Sequence, residues 1–338
     1  MTAGHPGASG AALSAPPPAL ARPSLLFVDD ERAILTALRV VFRGAYDVSA
    51  TTDGHEAVAL LGQRHFDVVV CDQRMPTLTG VEVLRRARDV SPATIRILLT
   101  GYADTDAILG AINDVEVHRF LQKPWDNAEI KRVVDEAIEL GRQVGAPPGA
   151  ARGSVADEAT APDAPPDAAL LAIDRDPALG RQLRAELGAG IELLDAASVD
   201  DAFGWLGRRA VGLLVCSIDV QSDADIEFMR VLKLHYPGIL VIAVCDSVDT
   251  LRLIELINFV KIFRYVRRPV NTKLLAHYVH SARRVLASTR AHPELLLMQR
   301  PEAPPEHVMA AGGVARAMTD RLAGFQAGWR QLLAKWFA

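Results

Sequence analysis

The segment VVVCDQRMP, residues 68–76, sets four apolar residues ahead of an aspartate and a loop. A short run that is apolar at every position, rather than at every second one, suits a strand covered on both faces, as in a parallel sheet between helices. Asp72 then falls at the carboxyl end of that strand, where open α/β sheets place their sites. A second segment, LLVCSIDVQ at residues 213–221, repeats the pattern with Ser217 in place of Asp72.

Outward from Asp72, further short apolar runs appear: SLLFV at 24–28, YDVSA at 46–50, IRILL at 95–99 and VHRFL at 117–121. Each run, like VVVC, is followed by an amphipathic segment, starting near Glu31, Gly54, Gly80, Asp104 and Asp126. Five strand–helix units predict a doubly wound parallel sheet with its site in the loops after the strands. From Ala169 the same order recurs at a constant offset of 145 residues, which relates Asp174 to Asp29, Ser217 to Asp72, Pro237 to Pro92 and Pro269 to Pro124. The helices agree too: GVEVLRRARDVSP at 80–92 matches DIEFMRVLKLHYP at 225–237, and AIN at 111–113 matches LIN at 256–258. A repeat at one fixed spacing marks a tandem duplication.

The Ala/Pro/Gly-rich stretches at 1–22 and 143–168 lack apolar periodicity and are expected to be a tail and a linker. They leave domains at 23–142 and 169–288, with a Pro-rich segment and helix over 289–338. A length of 338 residues, 50% of them hydrophobic, gives each domain material for its own core. A net charge of −4 does not suggest a broad nucleic-acid surface. Cys71, Cys216 and Cys245 show no metal-ligand spacing and are read as buried thiols in a reducing compartment. No apolar run approaches the roughly 20 residues of a membrane span, and no basic stretch precedes the alanine-rich start. A cytoplasmic protein is expected.

In such a sheet the loops after the first, third, fourth and fifth strands converge, bringing together Asp29, Asp30, Asp72, Thr100 and Lys123. Three carboxylates at one point repel one another unless a cation sits among them. Mg²⁺, which prefers oxygen ligands, suits this set. With Lys123 as a fixed cation and Thr100 as a hydroxyl, the cluster has what an incoming phosphoryl group needs: a carboxylate nucleophile, charge neutralisation and donors.

Through FVDDE, VVVCDQRMP, ILLTGYAD and HRFLQKPWD, in that order and spacing, residues 23–142 resemble the response-regulator receiver domains of two-component signalling, which have the flavodoxin-like (βα)5 fold. The resemblance implies that Asp72 accepts phosphate from a sensor histidine kinase or phosphotransfer protein. It also implies that Asp29, Asp30, Asp72 and the backbone carbonyl of Arg74 hold Mg²⁺, and that Lys123 pairs with the phosphoryl oxygens. Thr100 would move toward the phosphate, with Phe120 as the aromatic switch coupling the site to the surface of the fourth helix, fifth strand and fifth helix. Arg74 and Tyr102 would tune how fast phosphate is lost. The DQRMP, LLTGYAD and KPWD wording is similar to the branch found beside hydrogenase regulators and cyclic-di-GMP phosphodiesterases.

At the same offset the second copy has Asp174, Arg175, Ser217, Cys245 and Arg268. Arg175 replaces a ligand by a cation able to pair with Asp174, and Ser217 cannot form an acyl phosphate. The second copy is therefore read as a degenerate pseudo-receiver whose work is binding, with Tyr265 packing at the switch position. Near the C-terminus, Met318, Leu322, Phe325, Trp329, Leu332 and Trp336 form one stripe of a basic amphipathic helix. That helix suits a partner groove or dimer seam, packing on the chain itself, or a membrane surface, the last least expected.

The sequence thus predicts an α/β protein of two tandem receiver folds plus an amphipathic helix. It would be a non-enzymatic response regulator that accepts phosphate on Asp72 and signals through protein contacts, as a homodimer or with a target protein, without a nucleic-acid-binding domain. A phosphate sink or relay and a constitutive scaffold are the alternatives.

Overall fold

A computed structural model describes residues 22–101, 109–110, 113, 115–144, 168–246 and 249–291. The expected tail, Tyr102, most of the linker and the C-terminal helix at 318–336 lie outside the described residues.

The first unit contains strands β1 (Ser24–Val28), β2 (Asp47–Thr51), β3 (Val68–Asp72), β4 (Ile95–Thr100) and β5 (Arg119–Gln122). Its helices are α1 (Arg32–Val41), α2 (Gly54–Gln63), α3 (Gly80–Val90) and α4 (Asn127–Val144). The second unit contains β6 (Ala169–Ile173), β7 (Leu193–Ala196), β8 (Val211–Ser217), β9 (Leu240–Cys245) and β10 (Arg264–Arg267). Its helices are α5 (Ala178–Leu187), α6 (Val199–Leu206), α7 (Asp223–His235), α8 (Thr250–Glu255) and α9 (Thr272–Ala291), with a π-helical turn at Leu256–Val260 after α8.

All pairings in both sheets are parallel, in the orders β2-β1-β3-β4-β5 and β7-β6-β8-β9-β10. The order reverses beside β1 and β6, so the crevice at the carboxyl ends of the strands opens there. The offset of 145 carries into the structure: β1 and β6, β4 and β9, and β5 and β10 begin and end at matched positions. Glu116 and Lys261, also matched, both adopt positive φ.

Every residue of β3 is buried, which accounts for its unbroken apolar run. Local chemistry sets the helix starts after these strands. Asp53 caps α2 by accepting from the His55 N–H, and Thr79 and Glu82 form a reciprocal capping box on α3. Ser198, Ser222 and Asp249 cap α6, α7 and α8.

The buried side chains form three clusters. One belongs to the first unit, joining Leu25, Phe27, Val70, Ile97 and Leu99 to Leu35, Leu38, Ile130 and Val134 of the flanking helices. Another belongs to the second unit, built around Leu170, Val215, Ile242, Val244, Leu275 and Val279. The third runs across both, from Leu26, Cys71, Leu98 and Phe120 to Phe228, Tyr236, Ile257 and Tyr265. The edge strands β5 and β10 lie at this junction. Among the described residues no helix is long and apolar enough to cross a membrane.

Candidate functional site

β1 ends by delivering Asp29, fully buried, and the exposed Asp30 follows it. Asp29 Oδ1 accepts from the Glu31 N–H at 2.9 Å, which fixes the turn into α1. β3 ends at Asp72, only 4% exposed, and its Oδ2 accepts from the Arg74 N–H at 3.1 Å. Ligand oxygens of Asp29, Asp30 and Asp72 all lie within 4.8 Å of one another. The sequence-predicted acidic cluster is therefore assembled.

Lys123, at the end of β5, bridges two of these carboxylates, with Nζ 3.0 Å from Asp29 Oδ2 and 2.5 Å from Asp72 Oδ1. Burial raises the Asp72 carboxyl above its ordinary range, and the negative charge of Asp29 adds to this against the opposing pull of Lys123 and the Arg74 N–H. For Lys123, burial alone would depress the ammonium, yet its hydrogen bonds and charge interactions with Asp72 and Asp29 outweigh this and raise it. The result is a half-buried lysine between two buried aspartates, left in an excess of carboxylate. All the acidic ligands present oxygen, and the exposed Arg74 belongs to the loop directly after Asp72. A divalent cation that favours oxygen fits this donor set.

The loop after β3 is shaped by Gly80. A Cβ there would stand 2.3 Å from the Asp72 backbone oxygen and 2.7 Å from Leu98 Cδ1. Only glycine allows α3 to start so close to the strand end. Gln73 ties the same loop down, accepting from the Gly80 N–H through its backbone oxygen at 3.0 Å and from the Val81 N–H through Oε1 at 3.1 Å. Gly80 and Gln73 were not singled out by sequence reasoning, although QRMPTLTG at 73–80 carries the glycine at the helix start.

Thr100, fully buried at the end of β4, donates from Oγ1 to the Gly101 carbonyl at 3.3 Å. Phe120 is 1% exposed and sits opposite Leu98, on the strand next to the one that ends in Thr100. Tyr102 lies outside the described residues.

In the second unit the matched positions converge with other chemistry. Arg268 donates from Nη2 to Asp174 Oδ2 at 2.5 Å and to Ser217 Oγ at 3.0 Å, and its Nε lies 3.5 Å from Asp246 Oδ1. The cation that pairs with Asp174 is thus Arg268 rather than the expected Arg175, which is exposed. The longer Arg268 fork reaches both positions that Lys123 spans in the first unit, so Arg175 is not needed there. Cys245, in place of Thr100, is a buried thiol pushed up to about 12 by desolvation. It shares a hydrogen bond with the buried Tyr265.

Residues 25–135 match the family model of the response regulator receiver domain. Over 116 residues the chain is 36% identical to the hydrogenase transcriptional regulatory protein HoxA of Cupriavidus necator, a match covering 34% of this chain and 24% of that protein. It is 28% identical over 123 residues to the transcriptional regulatory protein ZraR of Salmonella typhimurium, covering 36% of this chain and 28% of the relative. The chain thus spans about a quarter of the length of these curated relatives. Their names give no support to excluding nucleic acid as a partner. Among solved structures, the signal receiver domain of an HD domain-containing protein from Pseudomonas fluorescens is 35% identical, covering 36% of this chain and 90% of that one with a TM-score of 0.35. The receiver domain of a sensor histidine kinase from Pseudomonas aeruginosa, with magnesium coordinated in its active-site cleft, is 26% identical, covering 35% and 99% with a TM-score of 0.31. The family match spans β1 to β5 and the acidic cluster at their carboxyl ends, and residues 25–135 are a response regulator receiver domain.

Proposed function

We propose that the protein is a cytoplasmic two-component response regulator in which Asp72 accepts a phosphoryl group and the state of Asp72 is read out through protein–protein contacts. The observation that carries this is Lys123 bridging Asp29 and Asp72 inside a three-carboxylate cluster. Two buried aspartates against one lysine have no use as a structural ion pair, because burying unbalanced charge is costly. They suit a site that awaits a cation and a phosphoryl group.

In the transfer, an Asp72 carboxylate oxygen attacks the phosphorus of a phosphohistidine on a sensor kinase or phosphotransfer protein. The new O–P bond forms as the P–N bond breaks, and the imidazole leaves with the electron pair. Asp29, Asp30, Asp72 and the Arg74 carbonyl would hold Mg²⁺, which supplies charge neutralisation on the transferring oxygens. Lys123 gives up its contact with Asp72 and pairs with the phosphoryl group. Thr100 turns its hydroxyl from the Gly101 carbonyl toward the same group, and Phe120, beside it in the sheet, follows. Arg74 flanks the acceptor and sets access for water.

The second unit is, in this reading, a degenerate receiver retained for binding. Its acceptor position is Ser217, and its one central cation is held by Asp174 and Ser217. The C-terminal segment is a second candidate contact surface, for a target protein or another copy of the chain.

Incubation of the purified chain with acetyl phosphate and Mg²⁺, followed by mass mapping, tests the assignment. Label on Asp72, absent from Asp72→Asn, is the expected result. Label on the Asn variant from the native donor would refute it.

A further inference from the structure

β5 and β10 are edge strands, and each turns alternate backbone groups away from its sheet. The Lys123 N–H donates to the Thr100 carbonyl, so residues 121 and 123 face β4 and Phe120 looks outward. The Arg268 N–H likewise donates to the Cys245 carbonyl, which turns Tyr265 outward from β9. On both outward faces the aromatic residue is buried, Phe120 at 1% and Tyr265 at 2% exposure. Asn258 Oδ1 accepts from the Phe120 N–H at 3.0 Å, and Asn258 Nδ2 donates to the Phe120 carbonyl at 2.7 Å. Asn113 does the same for Tyr265, accepting from its N–H at 3.0 Å and donating to its carbonyl at 2.9 Å.

One carboxamide, with an acceptor and donors in a fixed plane, thus stands in for a missing sixth strand on each side. Both asparagines and both aromatic residues are related by the offset of 145, so the clamp is reciprocal, each unit holding the switch position of the other. Asn258 lies in the π-helical turn at Leu256–Val260, and Asn113 has π-helical conformation as well. Such turns re-aim side chains out of the regular helical register. Lys261 Nζ adds a hydrogen bond to the His118 carbonyl at 3.2 Å, and the Arg119 guanidinium sits 5.6 Å from the centre of the Phe259 ring. The apolar cluster shared between the units closes the junction.

We propose that the second unit is the resident partner of the first unit's β5 face, and that the reciprocal Asn113–Asn258 clamp carries the state of Asp72 to the second unit. The signalling half rests on Asp72 being the phosphoacceptor. The route is short: Asp72 pairs with Leu99 across β3 and β4, Thr100 follows Leu99, and Phe120 pairs with Leu98. A repositioned Thr100 and Phe120 displace the backbone groups that Asn258 grips, and the interface shifts between two arrangements.

Hydrogen–deuterium exchange on the full chain, resolved to the Phe120 and Tyr265 amides, tests this. Asn258→Ala is expected to speed exchange at Phe120 by tenfold or more and at Tyr265 as well, because the two clamps close one interface. Unchanged Phe120 exchange in a variant that keeps its melting transition would overturn the clamp. Should Asn258→Ala fail to fold, Asn258→Asp keeps the acceptor for the Phe120 N–H and loses the donor to its carbonyl. It should give an intermediate acceleration at Phe120, and again no change overturns the proposal. In a second arm, beryllofluoride with Mg²⁺ should alter Tyr265 exchange at least threefold in the wild type and leave Asp72→Asn unmoved. A silent Tyr265 with Asp72 occupied refutes transmission while leaving the acceptor reading intact. An unoccupied Asp72 refutes the acceptor reading and transmission with it, and the clamp then stands or falls on the asparagine variants alone.

Discussion

At the carboxyl ends of the two sheets, one scaffold holds two different charge balances. In the first unit Lys123 is shared by Asp29 and Asp72 while Asp30 stands beside them, leaving net negative charge in a buried place. In the second, Arg268 spans Asp174 and the neutral Ser217, so the buried cation and carboxylate cancel, and the further carboxylate it approaches, Asp246, is exposed. The positions proposed as the switch also differ. The Thr100 hydroxyl donates to the neighbouring Gly101 carbonyl, whereas at the matched positions Cys245 and Tyr265 are joined to each other. The same parallel α/β scaffold carries both arrangements because these side chains sit in loops after the strands, and the core does not depend on them.

The sharpest way to break this contrast is at Asp72, the proposed acceptor. Asp72→Asn should reduce phosphoryl uptake to background, and Ser217→Asp alone should add none, because Arg268 still occupies the site and Arg175 stands where the first unit has the carboxylate of Asp30. Radiolabel transfer from acetyl phosphate checks both. Grafting Arg175→Asp, Ser217→Asp, Cys245→Thr and Arg268→Lys together should confer Mg²⁺-dependent uptake on the second unit, measured in an Asp72→Asn background.

A smaller effect separates the two backbones. Gly80→Ala drives a Cβ into the Asp72 carbonyl and should cost about 2–3 kcal/mol in thermal or urea unfolding. Gly180→Ala meets only the carboxylate end of Asp195, which can swing away, and should cost less than about 1 kcal/mol.

The junction gives the mildest test. Lys261, buried at the interface, has its ammonium held down to about 7 by burial, then by the charges of Arg119 and Lys233 against that of Glu136. Its folded value lies below the unfolded one, so the unfolded chain binds more protons between about pH 7 and pH 10, and stability rises with pH across that window. The contribution is lost as pH falls through about 7. Lys261→Met should therefore stabilise the chain by on the order of 1–2 kcal/mol at pH 6 and by progressively less toward pH 10. Melting curves across pH would show it. Lys233, buried in the second unit and also held near 7 by desolvation, keeps its own share of the pH dependence in that variant.

Much of this was legible in the residue order. Unbroken apolar runs such as VVVC place strands buried on both faces, and the fixed offset alone aligns the second sheet on the first. The acidic cluster follows as well, since Asp29, Asp30, Asp72 and Lys123 all stand at strand ends that parallel topology must bring together. Three things were decided only in three dimensions. Arg268, not Arg175, takes Asp174, because reach and the path of β10 settle which cation arrives. Gly80 is required by the approach of α3 to a backbone oxygen, which no local pattern reports. Asn113 and Asn258 read in sequence as ordinary helix residues within AIN and LIN, and nothing local says which strand they meet. A strand is dictated by the residues along it, whereas a clamp on an edge strand depends on where another part of the chain docks.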